Sequence, residues 1–257
     1  MIFTLGVEEE FMLDKEIESI ESYFNQCASN YDQYNLNDLG KKEFYDEIER
    51  QMLSLKSPKH ILVLGCGTGL EIERINQTAT VTALDVSSEM LKKLKQKTFR
   101  DSIKLRTIHN SFLNVIFTNE KFDLVLSAFS LHYFNQEQKN KLYQNIYRWL
   151  KPTGCFINCD SIAKDKTLEL IMQKEAESIY QSNKLTYGTL HIDTPMNLES
   201  EQDLLKQASF SEISIQRRWT NSVLLKAEKM RRRSNEEAEE RTESEDKTES
   251  EDNETFV

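Results

Sequence analysis

Four consecutive apolar residues, Ile61 to Leu64, run straight into Gly65-Cys66-Gly67-Thr68-Gly69, and a second apolar stretch, Thr80 to Leu84, closes on Asp85. The first run has the length and branching of a strand buried on both faces, as in a parallel sheet covered by helices. Glycines at its end let the backbone take positive φ and let a neighbour lie against the main chain where a Cβ would collide. A strand that ends in such a turn and re-emerges as a helix aims free N–H groups and a positive dipole end at one spot, so a helix is expected directly after Gly69. Asp85 is a carboxylate able to accept from both hydroxyls of a ribose lying across that turn. Together these features read as a site for a ligand that contains a nucleoside.

Spacing narrows the choice. A dinucleotide fingerprint counted from Gly65 needs its third glycine at position 70, which is Leu70 here. A phosphate-binding P-loop needs Gly-Lys-Ser/Thr, whereas Gly69-Leu70-Glu71 carries no lysine and adds a negative charge. What remains resembles the class I S-adenosylmethionine-dependent methyltransferases, whose first motif is a hydrophobic strand followed by Gly-x-Gly-x-Gly, with an acid closing the second strand. The resemblance spans roughly residues 20 to 227.

The resemblance implies an α/β fold: a Rossmann-like, mostly parallel seven-stranded sheet with helices on both faces and an antiparallel C-terminal hairpin. It implies S-adenosyl-L-methionine as cofactor, cradled by Gly65, Cys66, Gly67 and Gly69, with Asp85 on the ribose and Val86 packed on adenine. Ser111 takes the position where relatives commonly place an acid for the adenine amino group, and Phe112 takes the ring contact; an uncharged serine is the weaker acceptor. Ser127 and Ala128, at the end of the fourth strand, complete the cofactor-binding set. Phe24, Ala28, Tyr31 and Asp32 are similar to the family's Phe-x-x-x-Ala-x-x-Tyr-Asp segment, part of a lid that would bring Tyr31 towards a sulfonium, to which an aromatic face is attractive. Many relatives carry an acid two residues before the first glycine that helps to hold the ammonium of the methionine half; this chain has Val63.

The fourth apolar stretch, Phe122 to Ser127, leads into Leu131-His132-Tyr133, similar to the family's Leu-His-His segment. His132 is the candidate general base, since its ordinary pKa of about 6.5 suits proton transfer near neutrality; support of the loop by hydrogen bonding is the structural alternative. In-line methyl transfer depends chiefly on positioning, and a base is needed when the acceptor starts as a phenol, enol or alcohol. The expected activity is methyl transfer to a small-molecule acceptor. An RNA-modifying enzyme and a cofactor-binding protein with degenerate catalysis are the alternatives, the last motivated by Val63 and Ser111.

Elsewhere the pattern predicts two helices within 16 to 53, and a helix capped by Ser87 or Ser88 that buries Met90, Leu91 and Leu94. It also predicts a third strand over 103 to 108, a helix over 137 to 150 ending in a Lys151-Pro152-Thr153-Gly154 turn, and a fifth strand from Cys155 to Cys159. Helices at 165 to 181 and about 199 to 208 follow, then short strands at 209 to 215 and 221 to 225 joined by Gln216 to Thr220. The irregular piece between them, with Tyr187 and His191, falls where relatives build the acceptor pocket.

Composition separates a body from a tail. Residues 234 to 257 hold eleven acids against Arg241 and Lys247, nearly all of the net charge of −10, so the rest is almost neutral and exerts no general pull on nucleic acid or an anionic membrane. The organisation read from this is an N-terminal extension over 1–15, a catalytic domain over 16–227 with its cofactor-binding core at about 58–160, and a disordered acidic tail over 228–257 available to a protein partner. Thr4 to Phe11 resembles the opening strand of carboxylate-amine ligases, but the likeness stops within a dozen residues. The four cysteines make neither a metal nor a disulfide pattern, no metal is expected, and with no run of about 20 apolar residues the expected location is the cytoplasm.

Overall fold

The computed structural model describes residues 18–37 and 39–230. The N-terminal extension and the acidic tail beyond 230 lie outside the described residues. Three helices open the described chain, α1 (Ile20–Cys27), α2 (Tyr31–Asn37) and α3 (Leu39–Leu53), where the pattern suggested two. There follow β1 (His60–Leu64), β2 (Ala79–Asp85), α4 (Ser88–Gln96), β3 (Ile103–His109), β4 (Phe122–Ala128), α5 (Gln136–Trp149), β5 (Leu150–Ser161), α6 (Lys166–Ser182), α7 (Leu198–Gln207), β6 (Glu212–Arg218) and β7 (Ser222–Glu228).

The strands make one seven-stranded sheet in the order β3-β2-β1-β4-β5-β7-β6; β1 to β5 run parallel, and β7 pairs antiparallel with both β5 and β6. This is the expected Rossmann-like architecture. Alternate residues of β1 sort its two faces: Leu62 and Leu64 join the layer of α5 and α7, while Ile61 and Val63 face the layer of α3 and α4. The register sets Leu64 of β1 beside Leu84 of β2 and Ser127 of β4, and Ala128 of β4 beside Cys159 of β5. The turn after β1, Asp85, Ser127 and Asp160 therefore converge on one edge, where the strand order reverses direction.

Three expectations are corrected. The helix expected after Gly69 is only a short 3-10 turn, Ile72–Arg74. Fourteen residues separate Leu64 from Ala79, and after the glycine turn the chain makes only this one tight turn before it enters β2. The Lys151-Pro152-Thr153-Gly154 turn is absorbed into β5, with Thr153 at φ +66° and the β4 register jumping between Phe122 and Leu124. Arg217 and Arg218 lie in β6 rather than in a connecting turn, because the hairpin strands start and end a few residues later than the pattern suggested.

One buried polar cluster joins α5 to α7. Lys139 is fully buried and pairs with Glu201, which also accepts from the Tyr143 hydroxyl at 2.6 Å. Removing one partner of a buried ion pair strands the other charge. Lys139→Met is therefore expected to lower the unfolding free energy by about 3 kcal/mol, with the double variant Lys139→Met/Glu201→Leu recovering much of the loss, as read by urea denaturation.

Candidate functional site

The turn after β1 is built by left-handed backbone at Gly65 (φ +63°), Gly67 (φ +49°) and Gly69 (φ +84°). The three glycines serve different neighbours. A Cβ on Gly65 would stand 2.4 Å from Ser130 Cβ, and one on Gly69 would stand 2.4 Å from Leu94 Cδ1, so both are needed for packing within the chain. A Cβ on Gly67 would meet only a Tyr31 ring carbon, at 3.8 Å. The close approach of a ligand expected along the whole turn is thus confined to the middle glycine.

Asp85 lies beside that glycine. Its Oδ2 accepts from Gly67 N–H at 2.7 Å and its Oδ1 from Ser87 N–H at 2.8 Å. Burial pushes its carboxyl above the ordinary value, while those backbone donors pull the other way. Val86 N–H is a third such donor, so of the roughly four lone-pair directions of a carboxylate about one remains for a hydroxyl. Val86, half-buried, follows, its carbonyl 2.8 Å from His109 Nε2. Ser87 caps α4 by accepting from Met90 N–H, as the pattern predicted, and Met90, Leu91 and Leu94 are buried. Ser111 turns its hydroxyl inward to accept from Leu113 N–H at 3.3 Å, and Phe112 is buried edge-on to Phe134. Ser127 is fully buried, its hydroxyl 2.7 Å from that of Ser130, and Ala128 is buried next to it. Cys66 is a buried thiol whose pKa burial raises well above normal, so it is a packing residue.

The segment expected to act as a lid does cover the turn. Asp32 of α2 accepts from the Thr68 hydroxyl and pairs with Lys97 at 2.7 Å. Asn25 of α1 accepts from the Ser87 hydroxyl at 2.7 Å and from Glu89 N–H at 3.2 Å. Ile20 N–H donates to Thr189 O and His191 N–H to Glu18 O, tying α1 to the insertion before α7. Tyr31, half-buried, lies over Gly67. A small cavity of about 230 Å³ follows the seam between lid and turn, lined by Ala28, Asp32, Thr68 and Lys97 among others.

Beside this lies a second group. His132 is buried, with Nδ1 2.5 Å from Asp160 Oδ1 and Nε2 3.5 Å from Asp193 Oδ1. Burial alone would push its pKa down; Asp160, then Asp193, outweigh burial and hold it above 6.5. Asp160 is itself fixed by Leu131 N–H at 3.0 Å and Ser161 N–H at 2.9 Å. An aromatic cluster closes around the pair: His191 stacks on Tyr23 at 3.5 Å, and Phe24 stands edge-on to Tyr31, Tyr133 and His191. Burial pushes His191 down to about 4, so it is neutral near pH 7. Tyr187 instead packs on Tyr180, away from this group.

Sequence reasoning missed Asp160, Asp193 and Glu71. Asp160 was within reach, since it ends the apolar run of the fifth strand, one residue beyond the register partner of Ala128. Glu71 is 4% exposed, and its Oε2 has no hydrogen-bond partner among the described residues. Burial pushes it up to about 7, partly offset by its own N–H, Arg74 and Lys97. Since a Glu with a raised folded pKa binds its proton more tightly than the unfolded chain does, ionising it costs stability progressively between about pH 4.5 and 7. Glu71→Gln should match the parent near pH 4.5 and exceed it above pH 7 by up to roughly 3 kcal/mol, a pH-dependent gap measurable by denaturant titration.

A methyltransferase-domain family profile matches residues 61–154. The carboxy-S-adenosyl-L-methionine synthase of Nautilia profundicola is 24% identical over 86% of this chain and 95% of its own length. The demethylmenaquinone methyltransferase of Leptospira interrogans is 31% identical over 55% of this chain, and the match spans 59% of that relative. Among solved structures, a S-adenosylmethionine-dependent methyltransferase of Leishmania major superposes with a TM-score of 0.60 at 13% identity, over 81% of this chain and 80% of that one. Among the described residues no helix is long and apolar enough to cross a membrane.

Proposed function

Given that the chain belongs to the class I S-adenosylmethionine-dependent methyltransferases, we propose that it methylates a small-molecule acceptor at an oxygen, with His132 as the base. The observation that carries this reading is the enclosure of the site: α1, α2 and the 189–193 segment close over the turn and over the buried His132–Asp160 pair, as suits a small acceptor rather than a polymer. Arg217, one of the arginines that an RNA reading would need, is engaged within the chain, for it pairs with Glu43 and lies over Trp219. Four free cysteines, three of them buried, support a reducing, cytoplasmic setting.

The residues fit the cofactor. Gly67 presents a bare backbone beneath the Tyr31 ring, and Asp85 beside it keeps acceptor capacity for a hydroxyl donor. When bound, S-adenosylmethionine supplies a methyl group on a sulfonium, open to in-line displacement. Asp85 would grip the ribose, Val86 and Phe112 would flank the adenine, and Ser111, engaged with Leu113 N–H, would contribute little. Tyr31 must swing off Gly67 first, which requires the Asp32 and Asn25 ties to loosen.

His132 would receive the acceptor's hydroxyl proton on Nε2. Asp160 holds Nδ1–H, so the ring is fixed in one orientation and the imidazolium that forms is stabilised. Asp193, 46% exposed, must yield Nε2 to the acceptor. Tyr23, Phe24, Tyr133 and the neutral His191 offer flat apolar walls, suited to a planar phenol or enol.

A second reading comes from the breadth of the match to the carboxy-S-adenosyl-L-methionine synthase, under which the cofactor itself would be the molecule modified. Incubating the protein with S-adenosylmethionine and a metabolite extract, followed by mass spectrometry, separates the two: an acceptor heavier by one methyl supports methyl transfer, and a heavier cofactor supports the synthase. Once an acceptor is found, His132→Ala should lower kcat by about 10²-fold without changing cofactor affinity. The acidic limb of the rate profile should lie above pH 6.5 and move down in Asp160→Asn, because the neutral amide removes the charge that raises the imidazole. A limb that stays put in Asp160→Asn contradicts the base assignment.

A further inference from the structure

Glu71 is a buried carboxylate that neither the fold nor the chemistry above uses. Taking such a group out of water without a partner is costly, and the chain gains no packing or pairing from it that an apolar residue would not supply better. Its placement is informative. Of the groups its charge acts on, Tyr31, Tyr45, Cys66 and Cys159 belong to or pack against the cluster between the sheet and α3. Val63 points into the same cluster. Cys66, in the turn itself, is raised first by burial and then by the charges of Asp85 and Glu71, and Glu71 follows the last glycine of that turn by two residues with its Oε2 buried and without a partner among the described residues.

We infer that Glu71 is the counter-charge for the ammonium of the cofactor's amino-acid end, supplying from the residue two beyond Gly69 the negative charge that Val63 cannot. The inference rests on the cofactor reading above. Asp85 then selects the nucleoside end of the ligand and Glu71 the zwitterionic end. Tyr31 links the two: it covers Gly67, and after burial the charges of Glu71 and Asp85 both raise its hydroxyl, which is also paired with Tyr45. The raised pKa of Glu71 in the free protein fits a group whose charge is left uncompensated until a cation arrives. The competing role is structural, a polar link to Arg74, whose Nε is likewise buried and without a partner among the described residues.

Calorimetric titration of the full chain with two probes separates these roles. S-adenosylhomocysteine carries both ends of the ligand, whereas 5′-methylthioadenosine carries only the nucleoside end. Glu71→Gln is expected to weaken S-adenosylhomocysteine by about tenfold or more while leaving 5′-methylthioadenosine within about twofold. Asp85→Asn should weaken both alike. Equal affinity of Glu71→Gln and the parent for S-adenosylhomocysteine, or a parallel loss for both probes, overturns the inference and leaves Glu71 structural. If the parent binds neither probe at millimolar concentration, the cofactor reading itself fails and the inference falls with it. Because removal of the charge is expected to raise stability near neutral pH, a loss of binding in Glu71→Gln cannot be put down to unfolding.

Discussion

The hydrogen bond from Gly67 N–H to Asp85 fastens the turn after β1 to the end of β2, and most of the site hangs from it. Parallel pairing delivers the two strand ends side by side, and beyond Leu64 and Leu84 the turn is tied to β2 by Cys66 N–H to Leu84 O at 3.0 Å and by the bond to Asp85. The second oxygen of Asp85 orders Ser87 N–H. Ser87 in turn caps α4 and donates to Asn25, which seats α1. A single acid thus transmits order from the sheet edge to the first helix of the lid, and Thr68 does the same for α2 through Asp32. A binding site built this way is preorganised on its floor, while its roof is held by a few polar contacts at the surface.

Three buried acids stand at this edge with different degrees of compensation. Asp160 is held by two backbone N–H groups and His132, so its charge is matched in place. Asp85 is matched by backbone donors and keeps acceptor capacity. Glu71 has its own N–H and the charges of Arg74 and Lys97, while its Oε2 has no hydrogen-bond partner among the described residues. The contrast with Lys139 and Glu201, paired well away from the turn, is one of purpose: there the charges satisfy each other, whereas at the turn the compensation is left partly open.

Much of this was legible in the chain. Strand periods, the Ser87 cap and the buried face of α4 are local properties, fixed by apolar spacing and capping chemistry, whereas the antiparallel closing pair was implied by the resemblance to the methyltransferases. The shift of Arg217 and Arg218 into β6 was not legible, since polar residues on an edge strand look like a turn until the partner strand sets the register. Glu71 and Asp193 were invisible for a related reason. One stands in a polar-looking run and the other in an irregular insertion, and only packing shows that the first is buried and the second faces a histidine.

The sequence by itself determined the apolar strands, the glycine turn and the acid that closes the second strand, because each follows from residue type at a short, fixed spacing; the seven-stranded sheet and the cofactor followed from the resemblance those residues carry. The tertiary structure alone decided which glycine is free to meet a ligand, which carboxylate orients His132, and where Glu71 keeps its charge. Those outcomes depend on side chains far apart in the chain, and on which of them lose contact with water. Desolvation is a property of the assembled layers, and no local pattern encodes it.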